Sequence, residues 1–174
     1  MTGLVTSDAY TSHLTGDGHP ESPDRVRAIV VRLRDTGLLE RTVPIAPRPA
    51  TEAELLRCHS AAYLRIVRED VAEGLHKLST GDTPLSAQSL ETALLAAGGV
   101  LAAVDTVMAG RVTNAAAIVR PPGHHATPTK NGRGRHSPAS GNGRRSSVAA
   151  RRRRCRPRRG KCAPAGGTRS TSCS

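Results

Sequence analysis

Ala115-Ala116-Ala117-Ile118-Val119-Arg120-Pro121-Pro122-Gly123-His124-His125-Ala126 is the most informative stretch of this chain. Its five apolar residues have no polar alternation, the pattern of a parallel strand buried on both faces. Two prolines stiffen the exit and a glycine permits a sharp turn. The two imidazoles then stand at the carboxyl end of a parallel strand, where open α/β sheets bind their ligands. Taken alone, a His pair is more often a surface or hydrogen-bonded core feature than a site of chemistry.

Working outward, residues 86–109 make the strongest helix. Ala87, Leu90, Leu94, Ala97, Leu101, Val104 and Met108 recur at steps of three and four, and Gly110 follows as a stop. That stripe predicts the buried face. Gly98 and Gly99 inside it imply either close approach to a sheet or a local bend. Toward the N-terminus, residues 3–6 suit a short first strand. Ser22, Pro23 and Asp24 then open a helix whose stripe is Val26, Ile29, Val30 and Leu33, ending before Gly37. Residues 42–46 can form a strand, and the spacing of Pro44, Pro47 and Pro49 implies an edge or irregular segment instead of a central one. Thr51-Glu52-Ala53-Glu54 is a capping box for a short helix through Cys58, and Ser60 caps another carrying Tyr63, Leu64, Val67 and Val71. Residues 74–84 are loop-like. Strand, helices and strand in this order predict an α/β layer architecture with a parallel sheet.

Composition divides the chain after Ala126. Its 174 residues include no Trp, no Phe and two Tyr. Residues 1–126 hold 12 Lys+Arg and all 14 Asp+Glu, whereas residues 127–174 hold 14 Lys+Arg and no acid. The formal charge of +12 therefore belongs to the last stretch. There the only large apolar residue is Val148, so burial has nothing with which to offset chain entropy, and disorder is expected over 127–174. A helix through residues 147–154 would be marginal, given its like charges. Cys58 stands alone in the first part, and Cys155, Cys162 and Cys173 follow no zinc-knuckle or CxxC spacing, so no disulfide framework is expected. The N-terminus lacks a basic segment followed by an apolar one. No segment approaches the ~20 apolar residues of a membrane span, and a soluble cytoplasmic protein with no membrane partner is expected.

The string Arg120-Pro121-Pro122-Gly123-His124-His125-Ala126 resembles the tandem-histidine signature of the zinc-dependent histone deacetylase and acetylpolyamine amidohydrolase family. Four further segments resemble that family in the same order. They are His19-Pro20-Glu21-Ser22-Pro23-Asp24-Arg25, the helix-loop from Glu54 to Leu64 with His59-Ser60 and Tyr63, Gly81-Asp82-Thr83-Pro84, and Ala96-Ala97-Gly98-Gly99. The resemblance covers residues 1–126 and implies the N-terminal part of an arginase/deacetylase-like α/β domain. In that family zinc polarises an acetyl amide and activates water, and the tandem histidines serve as general base or electrostatic catalyst and as proton donor to the leaving amine. It implies His124 and His125 as the catalytic pair, Asp82 as acceptor for the substrate backbone, and Arg25 in the internal cavity near the acetate-binding end. Without the resemblance Asp82 could simply initiate an Asp-Thr-Pro turn, and Arg25 could be an exposed arginine in a helix's first turn; the resemblance favours function for Asp82 and leaves both readings of Arg25 open. His59 reads as structural, and His13, His19, His76 and His136 show no ligand spacing.

The sequence then departs from the family. Beyond the tandem histidines the family continues to an Asp-x-Asp-x-His-His-Gly-Asn-Gly segment, a further metal-binding aspartate and a glycine-flanked tyrosine. None is present, and no acidic residue follows Asp105. Zinc belongs to the complete family, and this chain is expected to bind none and to be inactive alone. The implied substrates are acetyl-lysine in protein or a small acetylpolyamine. Two explanations suit residues 127–174: an out-of-frame reading of a GC-rich gene, or a basic arm around Arg144-Arg145 and residues 151–159 that binds nucleic acid non-specifically. Without aromatic residues such an arm would not recognise single strands by stacking. A third possibility makes residues 1–126 a structural or regulatory remnant with an unpaired edge strand and an exposed apolar face.

Overall fold

The computed structural model describes residues 1–130. At its centre is a three-stranded parallel sheet of β1 (Thr2–Val5), β2 (Thr42–Pro44) and β3 (Asn114–Ala117), in the order β2-β1-β3. Thr2 stands opposite Thr42 on one side and Asn114 on the other. β1 is therefore the inner strand, and Leu4 and Val5 are buried. The α/β class and the parallel pairing are as the sequence implied. β2 takes the edge expected of it.

Helices α1 (Pro23–Asp35), α2 (Glu52–Leu55), α3 (Ala61–Ala72) and α4 (Ser89–Met108) connect the strands. The caps form much as their residues predict. Thr51 accepts from the Glu54 amide while the Glu54 carboxylate accepts from the Thr51 amide, and the Ser60 hydroxyl accepts from the Tyr63 amide. Ser22, by contrast, caps α1 with no side-chain bond, and only Val26 of that helix's stripe is buried. Asp70 of α3 is buried and accepts from both the amide and the hydroxyl of Ser79, at 2.8 and 2.9 Å, which pins the following loop.

The buried face of α4 is a correction. Ser89, Thr92, Ala96, Gly99, Ala103 and Thr106 face inward, whereas Val104 and Met108, members of the expected stripe, are 51% and 81% exposed. Small residues let the helix backbone approach the sheet, while Val100, Val104 and Met108 turn outward. Gly99 marks that approach, and Gly98 a close approach to the backbone of residues 48–50 beyond β2. A Cβ on Gly98 would lie 1.9 Å from the Arg48 carbonyl oxygen, and one on Gly99 2.5 Å from the Tyr10 hydroxyl. Between helix and sheet lies the core of Val5, Tyr10, Ile45, Ala96 and Ala103. Burial raises the Tyr10 phenol to about 12.

β3 requires a second correction. Its residues are exposed or half-buried, because among the described residues β1 is its one sheet neighbour. A third concerns α4 itself, which is long and apolar enough to cross a membrane by length and composition alone. Its many Ala and Gly residues dilute that character, which is why it did not stand out in the sequence.

The Arg48–Glu54 pair ties the segment after β2 to α2, with contacts of 2.6 and 2.9 Å. The Arg48 guanidinium and then the Thr51 amide hold the Glu54 carboxyl down at about 2, from 4.5. A depressed carboxyl stabilises the fold above its unfolded pKa and ceases to do so as pH falls through the folded one. Stability attributable to this box should therefore disappear between pH 4.5 and 2. Denaturation of the wild type and Glu54→Gln across that interval checks it: the two curves should converge toward the acid end. The gap is expected to be small because both side chains reach solvent.

Candidate active site

At the carboxyl end of β3 the chain delivers Arg120 into the protein interior, where the side chain has no solvent exposure. Burial pushes the guanidinium below its ordinary pKa, and Glu21 opposes the shift. It nonetheless stays charged, as arginine does in proteins. One terminal nitrogen donates to the carbonyls of His13 and, at 3.4 Å, Tyr10; the other donates to the Glu21 carbonyl at 3.0 Å and reaches the Thr15 hydroxyl at 3.4 Å. Nε lies 2.8 Å from Glu21 Oε2 but off the hydrogen-bond direction, so these atoms meet as an ion pair without a hydrogen bond. Residues 10–21 are thereby wrapped around one side chain.

His13 lies within the same wrap. It is buried, and its Nδ1 stands 2.7 Å from the Ser89 hydroxyl at the start of α4. Burial, followed by the neighbouring Arg120 charge, lowers its pKa, which favours the neutral ring.

Beyond Arg120 the backbone turns at Gly123, whose φ of 70° suits glycine, and the Ala126 amide donates to the Gly123 carbonyl at 2.9 Å. This turn presents His124 and His125, both exposed, with ring centroids 4.1 Å apart and planes inclined at 54°. The far side of the turn is held as well. The Ser60 amide donates to the Pro128 carbonyl at 2.9 Å, and His59 Nδ1 lies 3.0 Å from the Thr127 carbonyl. His59 therefore has the structural role expected of it. Thr127 also closes on Lys130 through its amide and hydroxyl. The rest of the expected disordered tail, with the arginine-rich arm, the helix at 147–154, His136 and the last three cysteines, lies outside the described residues.

Arg25 sits in the first turn of α1, 40% exposed, paired with Glu21 at 3.0 Å and donating to the Val119 carbonyl at 3.3 Å. It thus reaches the end of β3 from the solvent side. Asp82 is exposed in the loop closed by the Lys77–Pro84 bridge, and among the described residues no hydrogen bond or ion pair joins it to the histidines. Arg120 and Glu21 both lie within the family-like motifs, but the sequence alone assigns neither a role. The available signal was a charge placed directly after five apolar residues.

Zinc can be tested against these side chains. Among the described residues no group of three or more His, Cys, Asp or Glu converges on a point where a metal could sit. A catalytic zinc takes three protein ligands and a structural one four. The described residues by themselves do not fit the ion.

Residues 19–134 match the model of the histone deacetylase domain. The chain belongs to the histone deacetylase family. The match begins at His19, the first residue of the early motif, and runs past Ala126. The chain is 34% identical over 130 residues to a probable deacetylase of Archaeoglobus fulgidus, covering 74% of this chain and 36% of that one. It is 40% identical over 110 residues to the human polyamine deacetylase HDAC10, covering 60% of this chain and 16% of that protein. It is also 40% identical over 111 residues to a histone deacetylase-like amidohydrolase of Pseudomonas aeruginosa, covering 64% and 29%. In fold it resembles the crystal structure of the HDA15 HD domain, with a TM-score of 0.68 and 32% identity, over 74% of this chain and 39% of that one. The chain thus spans about a third or less of the length of these curated relatives.

Proposed function

We propose that this chain supplies the N-terminal part of a zinc-dependent deacetylase domain whose reaction is hydrolysis of an acetylated amine, either acetyl-lysine in protein or a small acetylpolyamine. The observation that carries this reading is the pair His124–His125, held side by side on a turn tethered at both ends. One imidazole would accept the proton of the attacking water, and its neighbour would donate a proton to the leaving amine. Asp82 would accept from the substrate backbone, and Arg25 would line the inner end of the pocket. We expect the chain by itself to be inactive, because the acidic metal ligands that the family carries after its tandem histidines are absent from these 174 residues.

Two preparations test this. The 174-residue chain should bind no stoichiometric zinc and release no acetate from acetylated lysine or polyamine. A single-chain fusion of residues 1–126 to the remainder of the Pseudomonas relative should hydrolyse one of those substrates. In the fusion, His124→Ala or His125→Ala should slow turnover on the order of 100-fold or more. Zinc and hydrolysis in the unfused chain would sink the inactivity claim, and a fully active His124→Ala/His125→Ala fusion would sink the assigned chemistry.

A further inference from the structure

His13 is a buried titratable group that the proposed chemistry leaves unused. It is 3% exposed and belongs to the residues wrapped around Arg120, its carbonyl accepting from that guanidinium. Its ring reaches α4 instead. There Nδ1 stands 2.7 Å from the Ser89 hydroxyl, which accepts from the Ser86 amide at 2.7 Å and lies 3.1 Å from the Ser86 hydroxyl. Ser86 in turn accepts from the Leu14 amide at 3.1 Å. One residue thus fastens the wrap to the start of α4 through its side chain and to the end of β3 through its backbone.

The surroundings of this ring have no place for a second positive charge. From the wrap itself His19 and the Glu21 carboxylate face it, and from the end of β3 the Arg120 guanidinium does. α4 and the segment before it present neutral hydroxyls, those of Ser89 and Ser86. The Tyr10 phenol donates to the Leu95 carbonyl at 3.4 Å, and a pKa of about 12 keeps it neutral. Glu21 is the one anion among these groups, and its two oxygens already meet Arg120 and Arg25. A hydroxyl can turn to donate or accept, so the bond to Ser89 tolerates either state of the ring. The added charge is what the site does not tolerate, since a protonated ring would lie buried beside Arg120 without a carboxylate of its own.

We propose that His13 is a positioning residue for the tandem histidines that acts only while its ring is neutral: a proton on it frees residues 10–21 from α4, and with them the Arg120 end of the turn that carries His124 and His125. That this pair needs positioning rests on the proton-transfer role proposed for it. The sign follows from where the proton binds better. A freed ring in water takes it up near pH 6.5, whereas the closed ring, desolvated and beside Arg120, resists it. The closed form therefore loses stability relative to the open one as pH falls below 6.5. Loops open at lower cost than core helices, so the wrap and the turn respond while α4 stays folded.

The test is NMR relaxation of the full 174-residue chain at about pH 7.5 and about pH 5, the interval in which histidine changes charge. Backbone order parameters at Leu14 and Thr15, and from Gly123 to Ala126, should fall from about 0.85 to under about 0.6 on acidification, while those of α4 stay high. His13→Gln keeps a hydrogen-bonding group but takes no proton, so in that variant the turn should stay ordered at the lower pH although His124 and His125 are unchanged. His13→Leu removes the link to Ser89 without adding charge and should loosen both segments at either pH. The ring nitrogen resonances of wild-type His13 give a second measurement that needs no variant: its protonation and the loss of order at Ala126 should share one midpoint. An equal response in wild type and His13→Gln, loosening confined to residues 10–21, separate midpoints, or melting of α4 together with the turn would each overturn the proposal. No metal or substrate enters these readouts. The coupling can therefore fail while a fusion enzyme remains active, and the proposed chemistry can fail while the coupling holds.

Discussion

Gly98→Ala should destabilise the protein by about 3 kcal/mol, at the upper end of what overpacking usually costs. Helix propensity alone points the other way, because alanine gains ~1 kcal/mol over glycine inside a helix. The decisive quantity is space. The new Cβ would lie 1.9 Å from the Arg48 carbonyl oxygen, 2.5 Å from the Ala50 nitrogen and 2.6 Å from the Pro49 carbonyl carbon, all of them backbone atoms. That segment has little freedom to retreat. The Ala50 amide donates to the Leu94 carbonyl on α4 at 2.9 Å, and Arg48 is held by Glu54 on one side and lies 3.6 Å from Asp105 on the other. Separating the helix from the segment would break those contacts and open the core around Ala96. Gly110→Ala is the control, because its Cβ meets nothing within 4 Å and its cost arises only from a φ of 69°. That cost should be about 1 kcal/mol. Urea denaturation of both variants checks the contrast, and equal midpoints would refute the close-approach account.

Arg120→Leu should cost about 3–5 kcal/mol, the range for removing one partner of a buried ion pair. The substitution keeps an apolar stem but strands the Glu21 carboxylate and leaves the carbonyls of Tyr10, His13 and Glu21 without their donor. Arg120→Lys should recover little, because a single ammonium cannot reproduce a planar fork that serves several acceptors at once. Arg25→Gln, at the same end of β3, should cost no more than about 1 kcal/mol, since its pair with Glu21 is open to solvent. Thermal denaturation ranks the three variants. The histidine ring resonances of His124 and His125 should broaden or shift in the Arg120 variants and not in Arg25→Gln. If Arg25→Gln were as damaging as Arg120→Leu, the anchoring role would belong to the wrong arginine.

Local chemistry was the readable part of this sequence. The Thr51–Glu54 box, the Ser60 cap, the edge position of β2 and the strand-to-histidine turn each follow from a few adjacent residues, and each is present. The inward face of α4 was not readable, because a helix apolar on nearly all sides has two plausible faces and periodicity selects the one with larger residues. Here Val104 and Met108 of that face lie exposed, while Ala96, Gly99 and Ala103 make the contact. Arg120 escaped for a related reason. A charged residue at the end of a strand suggests solvent, and only the acceptors gathered from residues 10–21, about a hundred positions away, make its burial tolerable. The exposure of β3 was equally hidden, since its alanines would look the same at an edge or at the centre of a sheet.

The tandem histidines sit on a short arch with a foot at each end, one set by Arg120 and the other by His59 and Ser60. Both feet stand on residues within the first 130 of the chain. A polypeptide emerging from the ribosome at roughly 5–20 residues per second could therefore close the arch while later sequence was still being made. In chronological terms the two imidazoles are put in place early, at a position already fixed when the last residues are added.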